Sequence, residues 1–392
     1  MARAARVARA RRRDRVPTQP RPIEHRMLIT ATLCLIALGA VMVYSASSAR
    51  NLLAGAGDGT QYLVRYLGLG TFALVAMRLM ARYGYGLARR CMPLLLVGSF
   101  VALVLVLIPG VGTEVNGARS WLGPGIFSPQ PAEFMKLALI LYCAHVLAAH
   151  PRRIATFAGM LNPVGVVAGA ACLLVLVQPD TGTALVMAGI VAAMLVAAGV
   201  PLRFLALLAA AGLALVALLV LLQPYQQERL TAFLDPWADK GGSGFQSVQG
   251  QIAFGSGGLL GVGIGQSVQK VFYLPEAHTD FILAVIGEEL GLLGVTVVIA
   301  LFGVIVWSGL RIARSAADQY AKLLAVGLTA LIACQAILNI FVVLGLAPLT
   351  GVPLPFVSYG PTNLIVILAA VGLLLNLADR NRAHLRLVTP AP

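Results

Sequence analysis

The chain alternates long apolar runs with short polar interruptions. Runs fall at about 27–45, 61–80, 92–109, 133–149, 162–178, 182–199, 202–222, 280–308, 320–345 and 363–378, most of them as long as the roughly 18–20 residues that carry a helix across a bilayer. They predict an all-α polytopic membrane protein with about ten transmembrane helices and one large loop between helices 7 and 8. The organisation is a basic N-terminal segment at 1–26, a membrane domain at 27–378 containing the loop at 223–279, and a short tail at 379–392. Within the loop, Ile252 to Gly265 is apolar and glycine-rich yet too short to span. It is expected to re-enter or to lie at the interface, packed on protein that satisfies its backbone.

Composition removes the soluble alternatives. Hydrophobic residues make up 59% and charged residues 11%, with a mean hydropathy of +0.87, whereas a soluble domain carries about 25% charged residues. The net charge of +14 invites a nucleic-acid reading, but 22 of the 29 Lys and Arg fall in the segments on the side shared by both termini. The positive-inside rule makes that side the cytoplasm, and no nucleic-acid partner is expected. Asp58, Glu114, Asp180, Glu228, Asp235, Asp239, Glu276 and Asp280 collect in or beside the other loops, so the large loop and the polar chemistry are extracytoplasmic. The five cysteines lie in or beside the apolar runs without a CxxC spacing, which indicates neither a disulfide framework nor a metal site.

The candidate chemistry lies at the membrane boundary. Asp280 ends the large loop, in Tyr273 to Ile282 (YLPEAHTDFI). It could cap the next helix, or take a proton from a hydroxyl nucleophile as a general base, with His278 beside it as an orienting or packing residue. Glu288 and Glu289 come about 12–13 Å further along the helix, too far to pair with Asp280, and read best as a structural polar network at membrane depth. Glu133 and Lys136 share a helix face at i,i+3 and can neutralise each other. Arg119 stands against the charge bias, where a guanidinium suits a phosphate or a lipid head group. Asp180, in the turn Gln178–Thr183, can cap a helix, bind a cation or help line a polar cleft, and Ser358 offers a hydroxyl near the mouth of the last helix. A glycine-rich phosphate loop is excluded, because Gly255 to Gly265 spells neither nucleotide motif.

Taken in order, VMVYSASS at 41–48, NGARSWL at 116–122, QPAEFMKLAL at 130–139, QPDTGTALV at 178–186, FLDPWAD at 233–239, SVQKVFYLPEAHTDFILAVIGEELGLLG at 267–294 and PLPFVSYG at 353–360 resemble the FtsW/RodA (SEDS) family of bacterial cell-wall polymerases. The YLPEAHTDFI form is nearer the division-associated FtsW branch. The resemblance implies a ten-helix peptidoglycan glycosyltransferase that polymerises lipid II, the undecaprenyl-pyrophosphate-linked disaccharide pentapeptide, into β-1,4 glycan on the outer face of the cytoplasmic membrane at the septum. It implies an inverting reaction with Asp280 as base, and a substrate cleft holding Arg119, Glu133, Lys136, Asp180, His278 and Ser358. It also implies a class B penicillin-binding protein transpeptidase and other divisome membrane proteins as partners. No organic cofactor is expected; a divalent cation, Mg or Mn, could share the neutralisation of the pyrophosphate, though no ligand set compels one. The family commonly continues SYG with a Gly-Ser-Ser-like stretch, whereas Pro361-Thr362-Asn363 follows here, so no role of small hydroxyls carries over to 361–363. The rival functions are a lipid II flippase, which needs a polar path to the cytoplasm, and a non-catalytic division scaffold.

Overall fold

The computed structural model describes residues 22–388 except 54, 56–58, 116, 124–127, 153–155, 223 and 272. Most of the basic segment read at 1–26, together with Asp58, Asn116, Arg153 and the last four residues, lies outside the described residues. Helices dominate. In chain order they are α1 (Ile23–Leu53), α2 (Gln61–Val106), α3 (Pro131–Ala149), α4 (Phe157–Val177), α5 (Thr181–Ala198), α6 (Leu202–Leu222), α7 (Pro224–Leu234), α8 (Phe245–Gly257), α9 (Ile282–Arg314), α10 (Gln319–Val343) and α11 (Pro361–Val388). Sequence reading missed one small sheet, β1 (Gly112–Val115) antiparallel to β2 (Ala118–Leu122), with Thr113 opposite Trp121.

Helix α2 joins two expected spans, 61–80 and 92–109, in a single run of 46 residues. A straight helix of that length would reach about 69 Å, more than twice the hydrocarbon thickness. Its contacts show where it goes. Tyr62, near the start, packs on His278 and Tyr359; Tyr85, in the middle, donates its hydroxyl to Asp318 Oδ2 (3.1 Å) between α9 and α10; Leu103, near the end, accepts from Gln178 Nε2 (3.0 Å), two residues from Asp180. His278, Tyr359 and Asp180 line one cavity, so both ends of α2 lie at the cavity face and its middle at the opposite face. The helix therefore bends back through the stretch holding Gly84, Gly86 and Pro93, the residues that tolerate such a bend. Among the described residues eight helices are long and apolar enough to cross a membrane; with α2 long enough to cross twice and the apolar α6 added, that accommodates the ten expected crossings.

The start of α1 and the later part of α11 share the face opposite the cavity, where Arg311 Nε meets Glu24 (3.0 Å) and His25 meets Asp379 (3.2 Å). Helix α11 continues to Val388, so the stretch read as a tail from 379 is mostly helix. Helices α3, α10 and α11 are enclosed by the others, whereas α6 exposes Leu202, Leu207, Leu213, Leu218 and Leu221 along its length.

The large loop is built rather than loose. It holds α7 and α8, and the residues after α8 dip beside α9. Helix α9 is broken at Gly291 (φ +67°), and Leu292 and Leu293 N–H donate to the carbonyls of Gly258 and Leu259. In return, Val262 and Gly263 N–H donate to Glu288 and Glu289 carbonyls (2.9 and 3.0 Å). The re-entrant segment and the helix break thus satisfy each other's backbone groups, which a lipid environment requires. A Cβ on Gly261 or Gly291 would strike the opposing backbone.

Candidate active site

At the cavity face, the turn before α9, the α4–α5 turn, β2, α7 and the strap before α11 enclose a polar cavity of about 590 Å³. Asp280 lines it, partly open to its interior. Asn339, buried on α10, donates both amide hydrogens to main-chain carbonyls, of Asp280 (2.7 Å) and Val352 (2.8 Å), and so ties the turn to the strap. Thr279 Oγ1 has one hydrogen but lies within reach of three acceptors: Glu276 O (3.0 Å), Glu276 Oε2 (3.0 Å) and Asp280 Oδ1 (3.1 Å). Glu276 is held at φ +52°, a left-handed conformation costly for a side-chain-bearing residue.

Burial is the main reason the Asp280 carboxyl is pushed up to about 7, and the neighbouring Glu276 charge adds to it. The hydrogen bond from Thr279 and the charge of Arg229 oppose the shift without cancelling it. A carboxylate titrating near neutrality is a competent base at physiological pH. Asp180 combines two of the roles the sequence left open, helix cap and cleft wall. Its Oδ1 accepts from Thr183 N–H (2.9 Å) as the cap of α5, while Oδ2 accepts from Gln130 Nε2 (3.3 Å) at the cavity wall. Burial raises its carboxyl above the usual range. The His278 ring packs at a tilt against Tyr62 (centroids 4.5 Å apart) and its carbonyl accepts from Tyr359 N–H (2.9 Å). That is the packing role anticipated for it, with the ring still bordering the cavity.

Four of the expected cleft residues lie elsewhere. Glu133 and Lys136 form the anticipated ion pair (2.8 Å), but they are 2% and 1% exposed and sit behind the wall instead of on it. Lys136 also donates to Gln335 Oε1 (3.0 Å), and Asn363, which does line the cavity, donates to Glu133 Oε2 (2.9 Å). Asn363 thus supports the pair, and Thr362 Oγ1 accepts from Gln130 N–H (3.2 Å), so the unusual residues after SYG are built into the wall. Arg119 turns to Glu114 (3.4 Å) on the exposed hairpin, and only its neighbours Ala118, Ser120 and Trp121 border the cavity. Ser358 Oγ accepts from Leu354 N–H (2.8 Å) inside a buried turn; Tyr359 and Gly360 are the lining residues there.

Sequence reading missed Arg229, Gln130, Tyr62 and Glu276 as lining residues. Arg229 carried the same signal as Arg119, a basic residue placed against the charge bias. Among the described residues no three His, Cys, Asp or Glu side chains converge as a metal site.

The network around Glu288 and Glu289 is separate. Lys270 Nζ donates to Glu289 Oε1 (2.7 Å) and Ser45 Oγ (2.9 Å), while Glu288 accepts from Ser267 Oγ and Val268 N–H (3.0 Å). Ser45, Ser267, Lys270, Glu288 and Glu289 are all buried, as the structural reading expected.

The family model for FtsW, RodA and SpoVE, described as cell cycle protein, matches residues 25–383. The stage V sporulation protein E of Bacillus subtilis is 44% identical over 357 residues, covering 91% of this chain and 97% of that protein. A probable peptidoglycan glycosyltransferase FtsW of Trichlorobacter lovleyi is also 44% identical, covering 90% of this chain and 92% of its own. Among solved structures, a chain from a study of the structural coordination of polymerization and crosslinking by a peptidoglycan synthase complex superposes with a TM-score of 0.72 at 31% identity, covering 90% of this chain and 97% of its own. The rod shape determining protein RodA of Thermus thermophilus gives 0.65 at 28%, covering 90% and 96%.

Proposed function

The chain belongs to the FtsW/RodA/SpoVE family, and on that premise we propose that it is a peptidoglycan glycosyltransferase that uses lipid II as donor and acceptor on the outer face of the cytoplasmic membrane. The observation that carries the mechanism is the Asp280 carboxylate, set at the membrane boundary in a polar cavity and titrating near neutrality. A substrate with a polyprenyl tail in the bilayer would present its sugars and pyrophosphate at this level.

The reaction follows from these groups. Asp280 takes the proton from the acceptor GlcNAc 4-hydroxyl as its oxygen bonds to the anomeric carbon of the donor MurNAc. The bond from that carbon to the lipid pyrophosphate breaks, and its electron pair leaves on the pyrophosphate oxygen. One displacement inverts the donor's α-linkage to β without a covalent enzyme intermediate. Asn339 and Thr279 hold the base in place, and Asp180 with Gln130 borders the sugars.

A flippase would need the ionisable groups at membrane depth to open onto a path. Glu288, Glu289 and Lys270 are instead closed on one another and on Ser45 and Ser267, which favours the polymerase. The protein acts at the septum, beside a class B penicillin-binding protein that crosslinks the new strands and other divisome membrane proteins, with both termini in the cytoplasm.

The test is polymerisation of fluorescent lipid II by purified protein with its transpeptidase. Asp280→Asn keeps the size and some capping ability but cannot accept the proton. It is expected to fold and bind lipid II while polymerisation falls at least ~10²-fold. Near-normal polymer from this variant would refute the base assignment; transport without polymerisation by the unaltered protein would make it a flippase.

A further inference from the structure

One wall of the cavity is aromatic. Tyr62, His278 and Tyr359 line it, and all three are half-buried. Their rings pack on one another: Tyr62 lies 4.5 Å from His278 at 58° and 5.1 Å from Tyr359 at 87°, and His278 lies 5.9 Å from Tyr359. Tilted and edge-to-face contacts of this kind fix the orientation of each ring. Elsewhere the lining offers hydrogen-bonding groups, on Gln130, Asp180, Gln246, Glu276, Asp280 and Asn363.

Docking of α2 on the strap is accomplished by other residues. Tyr62, Arg65 and Tyr66 share one face of α2 at i, i+3 and i+4, and Tyr66, only 2% exposed, makes the attachment by donating its hydroxyl to the Phe356 carbonyl. Arg65 hydrogen-bonds the Tyr359 hydroxyl, while Tyr359 N–H donates to the His278 carbonyl (2.9 Å), so that side chain is held at both ends. Tyr62 is left at the cavity margin with two rings behind it.

We infer that Tyr62, backed by His278 and Tyr359, is a stacking platform for the acceptor sugar, the pyranose whose hydroxyl Asp280 deprotonates. This rests on the glycosyltransferase reading above and gives it a subsite. A pyranose is amphipathic, with C–H bonds on its faces and hydroxyls around its edge. An aromatic ring covers a face and releases the water on it, while carboxylates and amides across the cavity serve the edge. Proximity selects the acceptor. His278 and Asp280 stand two residues apart in one turn, so their Cα atoms lie within about 7 Å, a separation that one sugar ring with its hydroxyls bridges. The approach to the base is also clear, because a Cβ on Gly351 would lie 4.0 Å from Asp280 Oδ2 and the glycine supplies none.

A purely structural Tyr62 would pin α2 and bind nothing. A soluble β-1,4 oligomer of N-acetylglucosamine, which has neither lipid nor phosphate, separates the two roles. Purified wild type, Tyr62→Leu and Tyr62→Phe, each with the transpeptidase, would be assayed for polymerisation of fluorescent lipid II against increasing oligomer. Wild type is expected to be inhibited. Tyr62→Leu, apolar but without a ring, should raise KM for lipid II about tenfold with a smaller change in kcat, and should weaken inhibition by the oligomer about tenfold, the scale of losing one aromatic contact. Tyr62→Phe, which keeps the ring, should recover most of both. Should the leucine variant fail to fold by thermal melt, saturation-transfer NMR on wild type carries the test: irradiating the aromatic protons should saturate the C–H protons of the oligomer. Unchanged inhibition in folded Tyr62→Leu, an uninhibited wild type, or no saturation reaching the sugar would overturn the inference while polymer from wild type upholds the enzyme. Absence of polymer from wild type would instead overturn the glycosyltransferase reading on which the inference rests.

Discussion

Asp280 is pulled in two directions, and each pull can be removed separately. Glu276 raises its carboxyl and Thr279 lowers it, while Arg229, the cation bordering the same cavity, also lowers it. The base must be deprotonated, so polymerisation should rise with pH through about 7 and flatten above. Glu276→Gln removes the like charge and should move that limb to lower pH, whereas Thr279→Val removes a hydrogen bond to the carboxylate and should move it higher. Rate profiles from pH 5 to 9 check both, and shifts of the opposite sign would contradict the assignment. Stability follows the same titration. Because folding raises this pKa above the unfolded value of 3.8, its contribution is present below about 4 and is lost as pH rises through about 7. Asp280→Asn should therefore melt with a weaker pH dependence than wild type across that window. The sequence exposed Asp280, Asp180 and His278, because each sits at the end of a membrane run where a polar side chain needs a reason. It misassigned Arg119 and Ser358, since residue order cannot show which way a side chain turns: Arg119 found Glu114 across a hairpin bulge, and Ser358 closed its own turn.

The same limit acts on whole elements, where polar groups far apart in sequence must be matched in a medium that offers no water. Helix periodicity showed the Glu133–Lys136 pair, but its partners Gln335 and Asn363 come from α10 and α11, about two hundred residues away. With both charges enclosed, removing one leaves the other unpaired, so Glu133→Gln or Lys136→Met should each cost about 3–5 kcal/mol. The double variant should recover much of that, and chemical melts in detergent would measure the coupling; additive losses would mean the pair is solvated. The re-entrant segment was legible as apolar, glycine-rich and too short to span. Its partner was not, because the break in α9 at Gly291 falls inside a stretch that reads as one span, with no proline or polar loop to mark it. Exchange of hydrogen bonds between that break and residues 258–263 makes the two elements one unit. Gly291→Ala would force a side chain against Leu259 and Gly261 from a left-handed conformation. It should loosen the segment, and faster hydrogen exchange at Val262 and Gly263 with α10 unaffected is the expected signature. Protection unchanged at those amides would show that the unit tolerates the strain.

For the molecule as a whole, counting apolar runs and counting charges are independent routes to one arrangement, and the contacts bear on both. Ten runs place the termini on one face; the bent α2 keeps that parity although it merges two of the expected spans, since Tyr62 and Leu103 return to the cavity face. The ends of the bundle then meet on the opposite face through Glu24–Arg311 and His25–Asp379. That face carries Arg78, Arg82, Arg89, Arg90, Arg311, Arg314 and Arg380, the excess that the positive-inside rule assigns to the cytoplasm. The orientation predicted from this is that the cavity opens outward, where a lipid-linked sugar brings its own leaving group. Single cysteines in a background without the native five provide the check. Gly241 lies exposed in the turn between α7 and α8, and Ser315 lies exposed after α9. In intact cells whose outer barrier has been made permeable, a membrane-impermeant thiol reagent should label Gly241→Cys and leave Ser315→Cys untouched until the inner membrane is lysed. Labelling in the reverse order would invert the molecule, place the cavity in the cytoplasm, and remove the basis for an extracytoplasmic polymerase.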